Sequence, residues 1–205
     1  MEKTAYILLG VVLTVFLNAL KELWFQKGKN KKDLEYLTIR ISSLLDIFVS
    51  SCADVVADDG LCFGQADERG CRSIQVKTPN FDPLEIDVEW KSLPRSLMYE
   101  ILSFPNLILE ANHRIAGEFE YSSSPPDYEE GFEERQFQYA KLALKADELS
   151  ERLRRAGKLP INTELNTDEW NVIKWMSEKI EEVEKSRHER AENQRRMLEE
   201  LRGNS

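Results

Sequence analysis

An uncharged apolar run near the N-terminus, closely followed by lysines, constrains this chain more than any other feature. The run covers residues 5–20 (AYILLGVVLTVFLNAL), and lysines follow it at positions 21, 27, 29, 31 and 32. As a helix, residues 5–20 measure roughly 24 Å, and the apolar residues 23–25 lengthen this toward the hydrocarbon thickness of about 30 Å. The sequence therefore predicts a single transmembrane helix within residues 1–26.

Aromatic and cationic side chains stand at the ends of this run. Tyr6 and Trp24 suit the two membrane interfaces, where an aromatic ring lies in lipid and its polar edge meets water. Lys21 can lay its apolar stem along lipid and raise its ammonium group to the headgroups. The predicted interface anchors are Tyr6, Lys21, Trp24, Lys27, Lys29, Lys31 and Lys32.

Two other interpretations of the run are a cleaved signal peptide and a buried core helix. The residues after the run are KELWF, which offer no small-residue cleavage site and so disfavour a signal peptide.

The lysines set the predicted orientation of the chain. Positive charge near a span tends to stay on the cytoplasmic side, and only Lys3 and the α-amino group precede the run. We expect the N-terminus outside, a basic juxtamembrane linker at residues 27–32 in contact with anionic lipid, and a cytoplasmic body. The three cysteines show no disulfide framework and no paired zinc spacing, which agrees with a reducing compartment.

The remainder of the chain is acidic. Residues 1–32 hold six lysines and two glutamates, a net charge of +4, so the total charge of −9 leaves −13 for the other residues. Such a charge repels phosphate backbones and anionic headgroups. We expect no nucleic-acid partner, and no membrane-hugging surface beyond the lysines.

Apolar residues at helical spacing predict the first body helix over residues 32–57. They occupy an arc of roughly 120°, which is the width of a helix face that docks on a core. The face consists of Leu34, Leu37, Ile41, Leu44, Leu45, Phe48, Cys52, Val55 and Val56. Cys52 is therefore expected to be a buried packing residue. Tyr36, Ile39 and Ile47 lie outside the arc and indicate a second contact, with another helix or with another chain.

Less regular sequence separates this helix from the next. Residues 60–80 are typical of a loop, and residues 84–90 alternate apolar and acidic side chains, which favours a short strand or extended arm. A second helical segment is predicted from Trp90 to Ile115, divided into two pieces by Pro105. Residues 117–131 combine serine, proline and acids, and predict an exposed, mobile linker.

Two more helices complete the predicted body. One covers residues 133–156, and the basic residues in its last turns meet the negative end of the helix dipole. The other begins at Asn166 or Thr167, where Asn166 and Glu169 approximate a capping box. Residues 184–205 form a charged helical tail, either solvated or awaiting a partner.

The predicted fold class is therefore mainly α. An N-terminal single transmembrane helix precedes an irregular four-helix bundle-like body, with a possible short strand or hairpin. The acidic domain covers residues 33–183.

Motifs for catalysis or metal binding are sparse. Glu110 and His113 have the Glu-x-x-His spacing of di-iron bundles, but the pair stands alone and projects away from the apolar stripe of its helix. The acids at residues 54–68 lack the ligand order of an EF-hand loop. No phosphate-binding loop, nucleophile elbow or HExxH motif occurs. We assign no catalytic residue, metal ligand or cofactor.

One face of the predicted span suggests self-association. Gly10, Thr14 and Asn18 recur every four residues, so they align along one side of the helix. Small and polar residues in this arrangement let two helices approach closely in lipid and form hydrogen bonds. We predict a homo-oligomer through this face.

These features favour a membrane-tethered interaction or scaffold protein that concentrates a protein partner at the membrane. Residues 117–131 and the C-terminal helix are the expected contact elements. One alternative is an enzyme with a carboxylate-based site in the helical body. Another is an extracytoplasmic, envelope-spanning helical protein.

Overall fold

The computed structural model describes the backbone of residues 2–160 and 171–203, and their side chains except those of residues 2–12, 15 and 19. Within this part the chain forms four long helices: α1 (Glu2–Ala57), α2 (Arg95–Tyr121), α3 (Glu129–Gly157) and α4 (Val172–Gly203). Single 3₁₀ turns at Pro83–Glu85 and Trp90–Ser92 interrupt the connection between α1 and α2. The predictions of a mainly α fold and a helical bundle are confirmed.

Helix α3 lies at the centre of the bundle and runs antiparallel to the other three helices. Its first turns contact the end of α1 through Arg135 and Asp58, and its last residue, Gly157, packs on Thr38. Ion pairs relate α3 in the same antiparallel way to α2 and to α4. We call the end of the bundle at Gly157 its base and the end at Glu129 its distal end.

The core forms where the predicted face of α1 meets α2 and α3. The residues predicted to face inward from Leu37 to Val56 are buried, except for the half-buried Leu44. Phe48, Phe81 and Phe104 meet edge to face, with ring centroids 5.3 to 6.3 Å apart. Aromatic pairs of this geometry add about 0.5–1.5 kcal/mol each to the burial of their area.

The long connection at residues 58–94 follows from the helix directions. Because α1 and α2 run the same way, the chain must return from the distal end to the base before α2 can begin. Of the short strand or extended arm predicted at residues 84–90, the strand is wrong. Asp82 accepts a hydrogen bond from the Leu84 amide and Pro83 begins a 3₁₀ turn, so the backbone bonds locally. An isolated β-bridge joins Cys62 and Gln65.

The division of the second helical segment that was predicted at Pro105 is also wrong. Pro105 lies inside α2 without dividing it. Its neighbours Phe104 and Ile108 are buried, so packing supports the turn from which a backbone hydrogen bond is missing.

Residues 117–131 are ordered for the most part as helix ends. Helix α2 continues to Tyr121 and α3 begins at Glu129. In the turn between them, the Ser123 hydroxyl accepts from the Gly131 amide at 2.6 Å, and the Arg72 amide donates to Pro126 at 2.9 Å. Part of the predicted linker is therefore helix and the rest is a mostly exposed turn, while its mobility stays a prediction.

The predicted juxtamembrane linker at residues 27–32 is helical, because α1 is continuous from Glu2 to Ala57. Lys, Gln and Leu favour helix, and a single glycine at position 28 costs only about 1 kcal/mol. The charged tail is helical to Gly203. The start predicted for the fourth helix, at Asn166 or Thr167, lies outside the described residues.

No helix in the described part of the chain contains a stretch that is long and apolar enough to cross a membrane. The transmembrane helix proposed from residues 1–26 therefore stays a prediction from the sequence.

Candidate functional site

The N-terminal part of α1 projects beyond the base of the bundle. Thr38 lies against the last residue of α3, so residues 2–32 extend past the bundle by roughly 46 Å at 1.5 Å per residue. Every side chain described between residues 13 and 32 is exposed. We call residues 2–32 the stalk.

The stalk exposes large apolar side chains. Seven of them are between 47% and 79% exposed: Leu13, Phe16, Leu17, Leu20, Leu23, Trp24 and Phe25. At 100° per residue they spread over more than half of the helix circumference. Removing them from water would release on the order of 10 kcal/mol. A helix that is apolar around most of its circumference is typical of a segment that is buried in a larger assembly or in lipid.

The predicted interface residues stand at the bundle side of this apolar surface. Lys21, Trp24, Lys27, Lys29, Lys31 and Lys32 are all exposed. Lys27, Lys29, Lys31 and Lys32 thus stand between the exposed apolar side chains of the stalk and the acidic body, and Lys21 lies among those side chains. The side chain of Tyr6 lies outside the described residues.

The predicted self-association face continues into the body. Thr14 and Asn18 are exposed, whereas the details of Gly10 lie outside the described side chains. At 100° per residue, Tyr36, Ile39 and Ile47 project from the same side of α1 as Thr14 and Asn18. These three side chains are 51%, 45% and 62% exposed, so this side of α1 points away from the bundle.

A buried ion pair fixes the distal end of α1 to α3. The Asp58 and Arg135 side chains are each 1% exposed, and Arg135 donates to the Asp58 carboxylate at 2.9 Å. Asp58 also accepts from the amides of Gly60, Gln75 and Val76. Burial lowers the pKa of the Arg135 guanidinium, and the Asp58 charge opposes that shift. The pair holds the loop after α1 in place, and nothing in the sequence spacing indicated it.

The basic end of α3 makes ion pairs that the sequence analysis missed. Arg152 donates to Glu100 of α2, and Arg154 pairs with Asp46 of α1. Hydrogen bonds from Arg152 and Lys145 lower the pKa of Glu100 to about 2. The helix-dipole interpretation therefore describes only part of their role, because these side chains also join α3 to its neighbours.

The C-terminal part of α4 projects beyond the distal end. Glu133 and Glu134 of α3 pair with Arg190 and Arg187 of α4. By this register α4 passes the start of α3 near residue 194, and residues 194–203 form an overhang of roughly 15 Å. Met197, Leu198 and Leu201 of the overhang are 66%, 50% and 68% exposed.

Asp46, Asp147 and Glu151 lie close together where α1 meets α3, and an enzyme with a carboxylate site would require such a cluster. Burial, together with the charges of Glu151 and Asp46, raises the pKa of Asp147 to about 6, while Arg154 opposes the shift. Asp46, however, is paired with Arg154 and accepts from Ser150. Asp46, Asp147 and Glu151 do not line the clefts between α2 and α3, between α3 and α4, or beside Lys31.

The remaining reactive side chains do not assemble a site in the described part of the chain. Cys52 is buried, as predicted, and burial raises its pKa. Glu110 bonds to Arg114, and it is exposed along with His113. No group of His, Cys, Asp and Glu that could hold a metal ion occurs among the described residues.

Comparison of the chain with protein-family models, with curated proteins and with solved structures gave no significant match.

Proposed function

We propose that this protein is a membrane-tethered scaffold that holds a protein partner at the membrane surface. In this proposal residues 1–26 lie in the bilayer, the lysines lie at the headgroups, and the helical body lies on the cytoplasmic side. The single observation that carries it is the exposure of seven large apolar side chains on a projecting helix, with Lys21 among them and four more lysines directly after them. Lipid supplies the missing apolar contacts, and anionic headgroups attract the lysines.

The continuity of α1 gives the proposed tether a mechanical property. One helix passes from the apolar segment through the lysines into the core, where Leu37, Ile41 and Leu45 are fully buried. A continuous helix transmits orientation, whereas a flexible linker would not. The scaffold would therefore hold its body at a fixed height and angle above the membrane.

Two surfaces are left for partners in this proposal. The side of α1 that bears Thr14 and Asn18 faces away from the bundle along its length, so two copies could pair in the membrane through Gly10, Thr14 and Asn18 without a clash between their bodies. The overhang at residues 194–203 presents an apolar stripe far from the stalk, where it could bind a protein partner.

Extraction of membranes with alkaline carbonate tests the tether. The full chain should stay in the membrane pellet, and a variant with Leu17→Lys and Leu20→Lys should move to the supernatant because two central charges are costly in lipid. A matched control with Leu198→Lys and Leu201→Lys on the overhang should stay in the pellet. Release of the unchanged chain by carbonate would reject the proposal.

A further inference from the structure

The base of the bundle adds a cation to the lysines of the stalk. Helix α3 ends against α1, and a cleft between them is lined by Lys31, Leu34, Glu35, Ala156, Gly157 and Lys158. The approach is close because residue 157 is glycine: a Cβ there would lie 2.1 Å from the Thr38 hydroxyl oxygen. Lys158, which is distant from the stalk in sequence, therefore lies beside Lys31.

The backbone at Lys158 is held in a conformation that glycine adopts more easily. Lys158 caps α3 with a left-handed φ of 56°, and its amide hydrogen-bonds to the carbonyls of Arg154 and Arg155. A non-glycine residue in this conformation costs roughly 1–2 kcal/mol. The chain keeps a lysine where glycine would be the more stable cap, which points to a use for the side chain.

These cations are available for an anionic ligand. Among the residues that the structure describes, Lys27, Lys31 and Lys158 make no ion pair, whereas Arg154 and Arg155 are paired with Asp46 and Glu151. At 100° per residue, Lys27 and Lys31 lie on the side of α1 on which α3 docks. Lys27 and Lys31 therefore form a column on one side of the stalk, and Lys158 lies beside Lys31 at the end of α3, with Glu35 as a nearby carboxylate.

The height of this column suits a membrane surface. If Trp24 marks the edge of the hydrocarbon, Lys31 stands about 10 Å further along the helix axis. The headgroup layer takes up roughly 5–8 Å of that distance. For Lys31 the remaining gap is shorter than the Debye length of about 8 Å at physiological salt, so its attraction is not screened away. Lys158 follows Gly157, which packs on Thr38 about 21 Å beyond Trp24, so Lys158 reaches the headgroups when the body leans toward them.

We infer that Lys27, Lys31 and Lys158 bind the phosphate groups of anionic lipids, so that the body leans toward the membrane on the α3 side. This inference rests on the proposed tether and adds a specific contact to it. It also reverses the expectation that the acidic body keeps away from the membrane beyond the stalk lysines. The net charge of the body is negative, but Lys158 adds a positive charge beside Lys31 at its base.

Covalent labelling of amines tests the inference on the full chain. The protein is reconstituted into vesicles of phosphatidylcholine alone or mixed with phosphatidylserine, and a water-soluble amine reagent is followed by mass spectrometry. Lys158 should react about fivefold more slowly when phosphatidylserine is present, which corresponds to about 1 kcal/mol for a lysine near an anionic surface. Lys185, exposed on α4 and closer to the distal end, is the internal control and should react equally in both vesicles.

A variant and a competitor sharpen the result. Lys158→Gln should speed the labelling of Lys31 in phosphatidylserine vesicles, and Lys185→Gln should leave it unchanged. Inorganic phosphate added to phosphatidylcholine vesicles should not protect Lys158; protection there would show a phosphate site and overturn the assignment to lipid.

The two proposals fail in different ways. A chain that stays in carbonate-washed vesicles but shows equal labelling of Lys158 in both lipids overturns the inference and leaves the tether intact. A chain that carbonate removes from the vesicles overturns the tether, and the inference with it.

Discussion

The two parts of α1 have similar helical geometry but opposite surroundings. Residues 33–57 are the docked part of α1, and one face of this part is buried in the bundle. Every described side chain in residues 13–32, in contrast, is exposed. The exposed part nevertheless carries three aromatic side chains, Phe16, Trp24 and Phe25, against two in residues 33–57, Tyr36 and Phe48. Helix formation and burial are therefore separate requirements. The stalk is helical, but none of its described side chains is buried within this chain.

The largest effect is expected from the buried contact at the end of the docked part. Arg135→Ala would leave the Asp58 carboxylate buried without its cation, and should lower the free energy of unfolding by about 3–5 kcal/mol. Urea unfolding followed by circular dichroism measures the loss. Arg155→Ala, at a side chain that is 71% exposed, is the matched control and should cost less than about 0.5 kcal/mol. Equal losses in the two variants would show that the buried pair does not hold α1.

A second prediction concerns the point where the docked part gives way to the stalk. Gly157→Ala would force a methyl group into Thr38 and should destabilise the bundle by about 1–3 kcal/mol. Gly117→Ala in α2 has open space around it and should instead stabilise by about 0.5–1 kcal/mol through helix propensity. Thermal unfolding of both variants distinguishes them by the sign of the change. If Gly157→Ala were neutral, the close approach of α3 to α1 would be disproved.

Asp147 gives a prediction with a pH dependence. Its pKa is raised to about 6 from the usual 3.8, so the folded state disfavours the charged carboxylate and loses stability as the pH rises from about 4 to about 6. Asp147→Asn should stabilise the bundle at pH 7 by about 1 kcal/mol, after allowance for partial solvent screening. The gain should vanish below about pH 4, where the carboxyl is protonated in both states. A gain that persists at pH 3 would have to come from packing.

The smallest effect is expected from breaking the stalk. Gly28→Pro should interrupt α1 between the lysines, yet change the unfolding free energy of the bundle by less than about 0.5 kcal/mol, because the described side chains of residues 13–32 are exposed and not buried in the core. In membranes the same variant should let the body rotate relative to the bilayer. A spin label on α4 would measure this as a higher rotational mobility. Destabilisation of the bundle comparable to that of Arg135→Ala would contradict the separation of the two parts.

Features set by local periodicity were predictable from the sequence. The buried face of α1 was predicted almost residue by residue, because burial repeats with the helix period. The end of α3 near Ala156 was marked by Gly157 and Pro160. The exposure of Glu110 and His113 followed from their angle to the apolar stripe.

Features that depend on contacts between residues distant in sequence were not predictable from the sequence. Pro105 is helical because neighbouring side chains are buried, and the turn after Tyr121 is ordered by Ser123 and by the remote Arg72. Composition gives no sign of these bonds. The pairs Asp58–Arg135 and Asp46–Arg154, and the meeting of Lys31 with Lys158, likewise depend on the antiparallel register of α1 and α3.

Hydrogen exchange of the full chain in lipid bilayers tests the central claim most directly. Backbone amides of residues 13–25 should exchange as slowly as those of residues 37–56, because lipid excludes water from the stalk as the core does from the docked part. The overhang at residues 194–203 is an exposed helix in the same molecule and should exchange quickly. If residues 13–25 exchanged as quickly as the overhang, the stalk would lie in water and the tether proposed for it would be contradicted.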